Sequence, residues 1–167
     1  MRLRAKGPGA LLPIPALLKR VARLRRRRPR TRVVLANGLF DLLHAGHLRY
    51  LRGARAAGDY LVVAINDDRS ARRLRGPGRP LTPARDRARL VAALEGVDAV
   101  VVFGGRDVGR LLRRLRPEVH CKGTDYRRDT VPERDVVLGY GGAIRIVGDR
   151  KRHATTDMIR RIARRLS

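Results

Sequence analysis

Apolar, β-branched runs alternating with stretches of helical spacing predict an α/β fold, a doubly wound parallel sheet with helices on both faces. Three observations carry that prediction. Leu61-Val62-Val63-Ala64-Ile65 is a continuous apolar run, the pattern of a strand covered on both sides. Val33-Val34-Leu35-Ala36 passes directly into Asn37–His47 and then Leu48-Arg49-Tyr50-Leu51, which reads as strand, turn and helix. Gly58 and Gly96 each close a helical segment just ahead of a new apolar run. A chain of 167 residues, 43% of them hydrophobic, has the length of one domain (about 100–200 residues) and can bury a core.

Taken in order, the first 32 residues hold twelve basic residues and no acid. Residues 1–13 are expected to form a basic, flexible arm, and residues 14–167 a single domain; deleting residues 1–12 is expected to change little. Ile14, Leu17, Leu18, Val21 and Leu24 follow helical spacing, with Pro15 tolerated in the first turn, so an extra helix precedes the first strand. A first helix over 46–57 leads to the second strand, which ends in Asn66-Asp67-Asp68. Arg75-Gly76-Pro77-Gly78-Arg79-Pro80 is too rich in glycine and proline for regular structure. Thr82 is placed as the N-cap of the next helix, with Pro83 in its first turn and Arg87, Leu90, Val91 and Leu94 along it. Ala99–Phe103 is a third strand, and Val108, Leu111, Leu112 and Leu115 mark a third helix. Val119-His120-Cys121 is a short fourth strand that runs into Lys122-Gly123-Thr124-Asp125-Tyr126. Residues 131–140 suit a helix, Ile144–Val147 alternates like an edge strand, and Thr155-Thr156 opens a last helix with Ile159, Ile162, Ala163 and Leu166 on one face. Five parallel strands in the order 3-2-1-4-5 put a crevice between the first and fourth, where a doubly wound sheet binds its ligand.

Composition narrows the function classes. No run of about 20 apolar residues crosses a membrane, and the apolar patch over 10–18 is broken by Pro13 and Pro15, which makes a poor secretory signal. A single cysteine, Cys121, excludes an intramolecular disulfide and fits the cytoplasm. The net charge of +25 invites a nucleic-acid reading, but 36 of the 40 basic residues are arginines spread along the whole chain, as a GC-rich coding bias would produce. Aromatics, the stacking platforms of single-strand binders, are only 4%. Small polyanionic substrates are the safer inference.

The turn Asn37–His47 holds the chemistry. A strand-to-helix turn aims backbone N–H groups and a positive dipole end at an anion, and His44 and His47 flank the one glycine, Gly46, that allows phosphate close approach. Two alternatives stay open at this point: unrelated core or surface histidines, and half of a metal site. A zinc site would need further ligands, and only His120, His153 and Cys121 remain of the histidines and cysteines. Lys122, leaving the fourth strand at the same crevice, favours phosphate.

Asn-Gly-x-Phe-Asp-Leu-Leu-His-x-Gly-His-x-Arg-Tyr-Leu resembles the nucleotidyltransferases of the cytidylyltransferase-like superfamily, which share a His-x-Gly-His signature and a Rossmann-like fold. With Asn66-Asp67-Asp68, Arg75–Pro80, Lys122–Tyr126 and Thr155-Thr156, the chain over about residues 15–165 is similar to bacterial heptose-1-phosphate adenylyltransferases (ADP-heptose synthases). Those often carry a sugar kinase fused upstream, and no kinase-sized region lies within these residues. The resemblance implies transfer of a nucleoside monophosphate, best AMP from ATP, to a sugar phosphate, best D-glycero-β-D-manno-heptose 1-phosphate. Pyrophosphate is released, and Mg²⁺ bridges phosphates. It implies catalytic roles for His44, His47 and Lys122; nucleotide contacts from Asn37, Gly38, Leu39, Phe40, Arg87, Thr155 and Thr156; and substrate contacts from Asp41, Asp67, Asp68, Arg75, Arg79 and Asp125. It also implies a homodimer. Arg75 stands where lysine is common, Ala154 where serine is usual and Leu39 where cysteine is frequent. A CTP-dependent cytidylyltransferase acting on a polyol phosphate is the alternative enzyme, and a basic nucleic-acid-binding module on an inactive fold is the alternative outside enzymes.

Overall fold

The structure, a computed structural model, describes residues 8–105, 107–148 and 164–165. Its elements run β1 (Ala10–Leu11), α1 (Ile14–Arg27), β2 (Val33–Gly38), α2 (Ala45–Arg55), β3 (Tyr60–Asn66), α3 (Asp68–Arg75), α4 (Ala84–Ala92), β4 (Ala99–Phe103), α5 (Gly109–Leu115), β5 (Val119–Lys122), α6 (Arg134–Gly139) and β6 (Ala143–Ile146). All strand pairs are parallel, in the order β1-β4-β3-β2-β5-β6. The five expected strands therefore stand in their expected order, and a sixth is added at the outer edge of β4. Of the expected helix after Thr155 only residues 164–165 are described, and they are helical.

Alternation along each strand sorts its side chains onto two cores. Val33 and Leu35 of β2, with Val62, Ala64 and Val101, meet Leu17 and Val21 of α1, Leu112 and Leu115 of α5 and Val137 of α6. Val34 and Ala36, with Leu61, Val63, Ile65 and Val100, meet Leu51 and Ala54 of α2 and Ala88 and Val91 of α4. Every residue of β3 is buried, as its continuous apolar run requires. At β6 the pattern is exposed alternating with half-buried, the signature of an edge.

Three expectations need correction. Residues 9–12 are not a flexible arm: Gly9 N donates to Ala92 O (2.6 Å), Ala10 N to Asp98 O (3.1 Å) and Leu12 N to Val100 O (2.9 Å). An edge strand of two residues has no periodicity to read, which is why it escapes the sequence. Residues 68–75 form helix α3 rather than the approach to a loop; only Ser70 and Ala71 are buried along it, so no apolar stripe announces it. Thr82 does not cap α4. The cap residue is Pro83, without a side-chain bond, and the Ala84 N–H donates instead to Asp68 Oδ1 (2.8 Å).

Arg87 is the strut behind that join. It is fully buried. Its Nη2 donates to Asp68 Oδ1 (2.7 Å), its Nε to Thr82 O (2.8 Å), and its Nη1 to Leu39 O. One guanidinium thus ties the start of α3, the start of α4 and the turn after β2. Asp68 is substantially exposed (44%), so its charge pair contributes modestly, and the bonds to buried carbonyls carry most of the effect.

Among the described residues His120 of β5 is the one histidine on a strand, and it too is fully buried. Its Nε2 lies 3.1 Å from Asn37 Oδ1 across the β2–β5 pair. A carbonyl oxygen only accepts, so Nε2 carries the ring proton. Burial first, and the nearby Lys122 charge second, push its pKa down to about 3, which keeps the ring neutral.

Deleting residues 1–12 is now expected to destabilise the protein by about 2 kcal/mol, the worth of two or three edge hydrogen bonds, as measured by urea unfolding. Arg87→Ala is expected to cost about 3 kcal/mol, since it strands buried carbonyls and opens a cavity; a loss under 1 kcal/mol in the same assay refutes the strut. His120 gives a pH signature. The unfolded ring takes up a proton near its ordinary value of 6.5 and the folded ring only near 3, so its contribution is full above 6.5 and is lost as pH falls between them. Denaturant unfolding at several pH values is expected to show this acid-side loss in the wild type and less of it in His120→Gln.

Candidate active site

The β2–β5 pairing stops at Ala36↔Cys121, and beyond it the two chains part at the carboxyl edge of the sheet. Tyr50 of α2 fills the opening. Its hydroxyl donates to Cys121 O (2.8 Å) and accepts from Asn37 N (3.3 Å). Burial raises its pKa well above the usual phenol range, so it stays a donor. Burial likewise pushes the Cys121 thiol up to about 12, which makes it an inert core group.

The turn after β2 is shaped by Phe40, whose φ of 53° is unusual for a residue with a side chain. That conformation folds its ring inward, 5.1 Å from the His47 ring and 6.4 Å from Tyr50 between centroids. A Cβ on Gly38 would sit 3.0 Å from the Phe40 ring, so glycine there keeps the ring's place open. His44 is the N-cap of α2: its Nδ1 accepts from Gly46 N (3.1 Å), which leaves the proton of a neutral ring on Nε2. The His44 and His47 rings stack, with centroids 3.9 Å apart and planes 26° apart, at the positive end of α2.

Lys122 ends β5 facing this turn and is only 5% exposed. A buried ammonium needs compensation. It finds Glu133 Oε2 at 3.2 Å and Oε1 at 3.4 Å, Asn37 Oδ1 at 3.3 Å, and the face of Tyr126 at 4.7 Å from the ring centroid. Asn37 Oδ1 therefore accepts from Lys122 and His120 together.

These groups converge on one cleft of about 420 Å³. Its walls include every expected contact from Asn37 to Asp41, both histidines, Lys122, Arg75, Arg79 and Asp125. Asp41 lies in the wall as an anchor: its Oδ1 accepts from Leu81 N (2.8 Å) and Thr82 N (3.0 Å), and its Oδ2 pairs with Arg79 (2.7 Å). Three expected residues do not reach the cleft. Arg87 is spent on the strut described above. Asp68 braces it. Asp67 caps α3 by accepting from Ser70 N (2.7 Å). Carboxylates just past a strand end serve helix starts as readily as ligands, and here the two that the resemblance assigned to substrate do so. Thr155 and Thr156 lie outside the described residues. The residues expected at the site did not include Tyr50, Tyr126, Glu133 or Asn66; Tyr50, Asn66 and Tyr126 lie within stretches that carry the resemblance, and Glu133 had no signal.

Among the described residues no three His, Cys, Asp or Glu side chains converge as a metal cage.

The chain is 46% identical over 145 residues to the bifunctional protein HldE of Syntrophotalea carbinolica, covering 87% of this chain and 29% of that protein. It is 47% identical over 131 residues to the bifunctional protein HldE of Ectopseudomonas mendocina, covering 78% and 28%. The chain thus spans less than a third of the length of these curated relatives. A solved structure, the lipopolysaccharide core biosynthesis protein from Thermoplasma volcanium GSS1, matches with a TM-score of 0.62 and 27% identity over 72% of this chain and 99% of that one. A family model described as cytidylyltransferase-like matches residues 35–162, most of the sequence, and the chain belongs to the cytidylyltransferase-like family.

Proposed function

We propose that this domain transfers AMP from ATP to D-glycero-β-D-manno-heptose 1-phosphate and releases pyrophosphate. The observation that carries the reading is the facing of the stacked His44–His47 pair and the buried Lys122 across one cleft. Likeness to the HldE proteins supports the adenylyl and heptose choices.

In this reaction a phosphate oxygen of the acceptor forms a bond to the α-phosphorus while the bond from that phosphorus to the bridging oxygen of pyrophosphate breaks. No covalent enzyme intermediate is needed, so positioning and charge stabilisation do the catalysis. His44 and His47 donate to the phosphate oxygens on which charge develops. Lys122 supplies a point charge, already placed by Glu133 and Asn37. Gly38, Leu39 and Phe40 line the nucleotide side, with Thr155 and Thr156 assigned to the triphosphate and Asp125 to substrate. A divalent ion, Mg²⁺ in this reading, would supply neutralising charge for the leaving pyrophosphate. Arg75 and Arg79 stay in the reading as cations for the acceptor, whereas Arg87, Asp67 and Asp68 leave it.

We place the reaction in the cytoplasm and in a homodimer. No helix of the described residues is long and apolar enough to cross a membrane, and light scattering tests the dimer.

His47→Ala is expected to lower turnover by two orders of magnitude or more, about the loss of one oxyanion-type donor, with His44→Ala similar. The measurement is pyrophosphate release with heptose 1-phosphate and each of the four nucleoside triphosphates. ATP is expected to serve best, and a clear preference for CTP would turn the reading to the cytidylyltransferase.

A further inference from the structure

We propose that Asn66 and Asp107 form the seat for the acceptor's hydroxyl groups, at the end of the cleft away from Lys122. The inference rests on the proposed transfer and assigns the part of the acceptor that carries no phosphate.

Asn66 is the last residue of β3, 4% exposed, and its side chain lines the cleft. Its carboxamide makes no hydrogen bond to the described residues and is not sealed from solvent. A polar group so deeply set is ordinarily paired. Here the partner has to come from inside the cleft. An amide offers two donors and an acceptor, the complement of neighbouring hydroxyls rather than of a phosphate alone.

Phe103 of β4 stands directly beside Asn66 in the sheet register and also lines the cleft. It offers an apolar wall for the C–H face of a sugar. Asp107 follows on the loop after β4. Its Oδ1 accepts from Gly109 N (2.8 Å) and so starts α5, while Oδ2 makes no hydrogen bond to the described residues. A carboxylate repels phosphate and accepts from hydroxyls. The polarity of the cleft is thereby set: phosphates towards Lys122 and the histidines, the neutral polyol towards Asn66 and Asp107.

The loop that brings Asp107 there is held by α3. Gly105 N donates to Ser70 Oγ (3.0 Å), and a Cβ on Gly104 would come within 2.6 Å of Asp67 Oδ2. Asp67, expected to touch substrate, instead supports the segment carrying the acid that does.

The test is steady-state pyrophosphate release with ATP and heptose 1-phosphate, on wild type, Asn66→Ala and Asp107→Asn. Asparagine at 107 keeps an oxygen for the Gly109 N–H, so α5 stays capped. Each variant is expected to raise the KM for heptose 1-phosphate about tenfold, the worth of one or two hydroxyl contacts, with the KM for ATP and the melting temperature unchanged. Unchanged acceptor KM in both variants, or a shift in the KM for ATP instead, overturns the assignment while leaving the transfer reaction standing. Absence of wild-type turnover with any triphosphate overturns the reaction and this inference with it. Should Asn66→Ala melt early, Asp107→Asn alone decides.

Discussion

One carbonyl oxygen, Asn37 Oδ1, joins the two halves of the sheet where the ligand cleft opens. It accepts from His120 and from Lys122, both on β5, and sits at the last turn of backbone before the histidine motif. The ammonium it holds is nearly buried, and a lone charge there would be prohibitive. Glu133 and the Tyr126 face complete the compensation. Removing either Asn37 or Glu133 would leave a buried cation half-paired, so the pieces stand or fall together. The neutral state of His120 matters for the same reason. A protonated imidazole beside Lys122 would add a second positive charge with no acid to answer it, and burial forbids it.

A helix start with its dipole, a strand end with its lysine and a splayed strand pair form the site. Its carboxylates divide sharply by task. Asp41 and Asp68, the latter through Arg87, are consumed in tying the segment between β3 and α4 to the turn after β2, and Asp67 in capping α3. This segment carries Arg75 and Arg79 into the cleft wall. Arg79 arrives already paired with Asp41, so its guanidinium is oriented before any ligand comes, at little reorganisation cost on binding.

Much of this was legible in the residues alone. The five main strands and the N-terminal helix followed from apolar runs and helical spacing, because β3 and its neighbours are covered on both faces; the strand order came with the doubly wound class. The histidine turn and Lys122 were legible because the strand order brings their carboxyl ends to one place. What stayed hidden has physical causes. Strand β1 is two residues long, and its pairing depends on a free edge of β4. Helix α3 buries only a serine and an alanine and otherwise looks like a charged loop. Arg87 is one arginine among 36, and nothing in its neighbourhood marks it as the one among the described residues that is fully buried. Tyr50 and Glu133 act through long-range geometry, a hydroxyl reaching β5 from α2 and a carboxylate reaching β5 from the start of α6, which no local pattern encodes.

The charge excess then has a role separate from the site. Two cations in the cleft wall, Lys122 and Arg79, are matched by buried carboxylates, so the local arrangement is close to balanced and holds its shape without a ligand. Among the described residues the other arginines lie mostly on the surface, where single pairs with acids such as Asp86 and Asp129 contribute little to stability. Their sum is a long-range positive field that draws anions towards the molecule and weakens as salt rises. In the proposed reaction, encounter follows the net charge of the whole chain, whereas selection falls to groups the field cannot supply: a stacked imidazole pair, a fixed ammonium and a buried amide. A basic surface alone attracts polyanions indiscriminately; under the proposed function the desolvated, pre-paired interior is what favours a defined phosphate geometry.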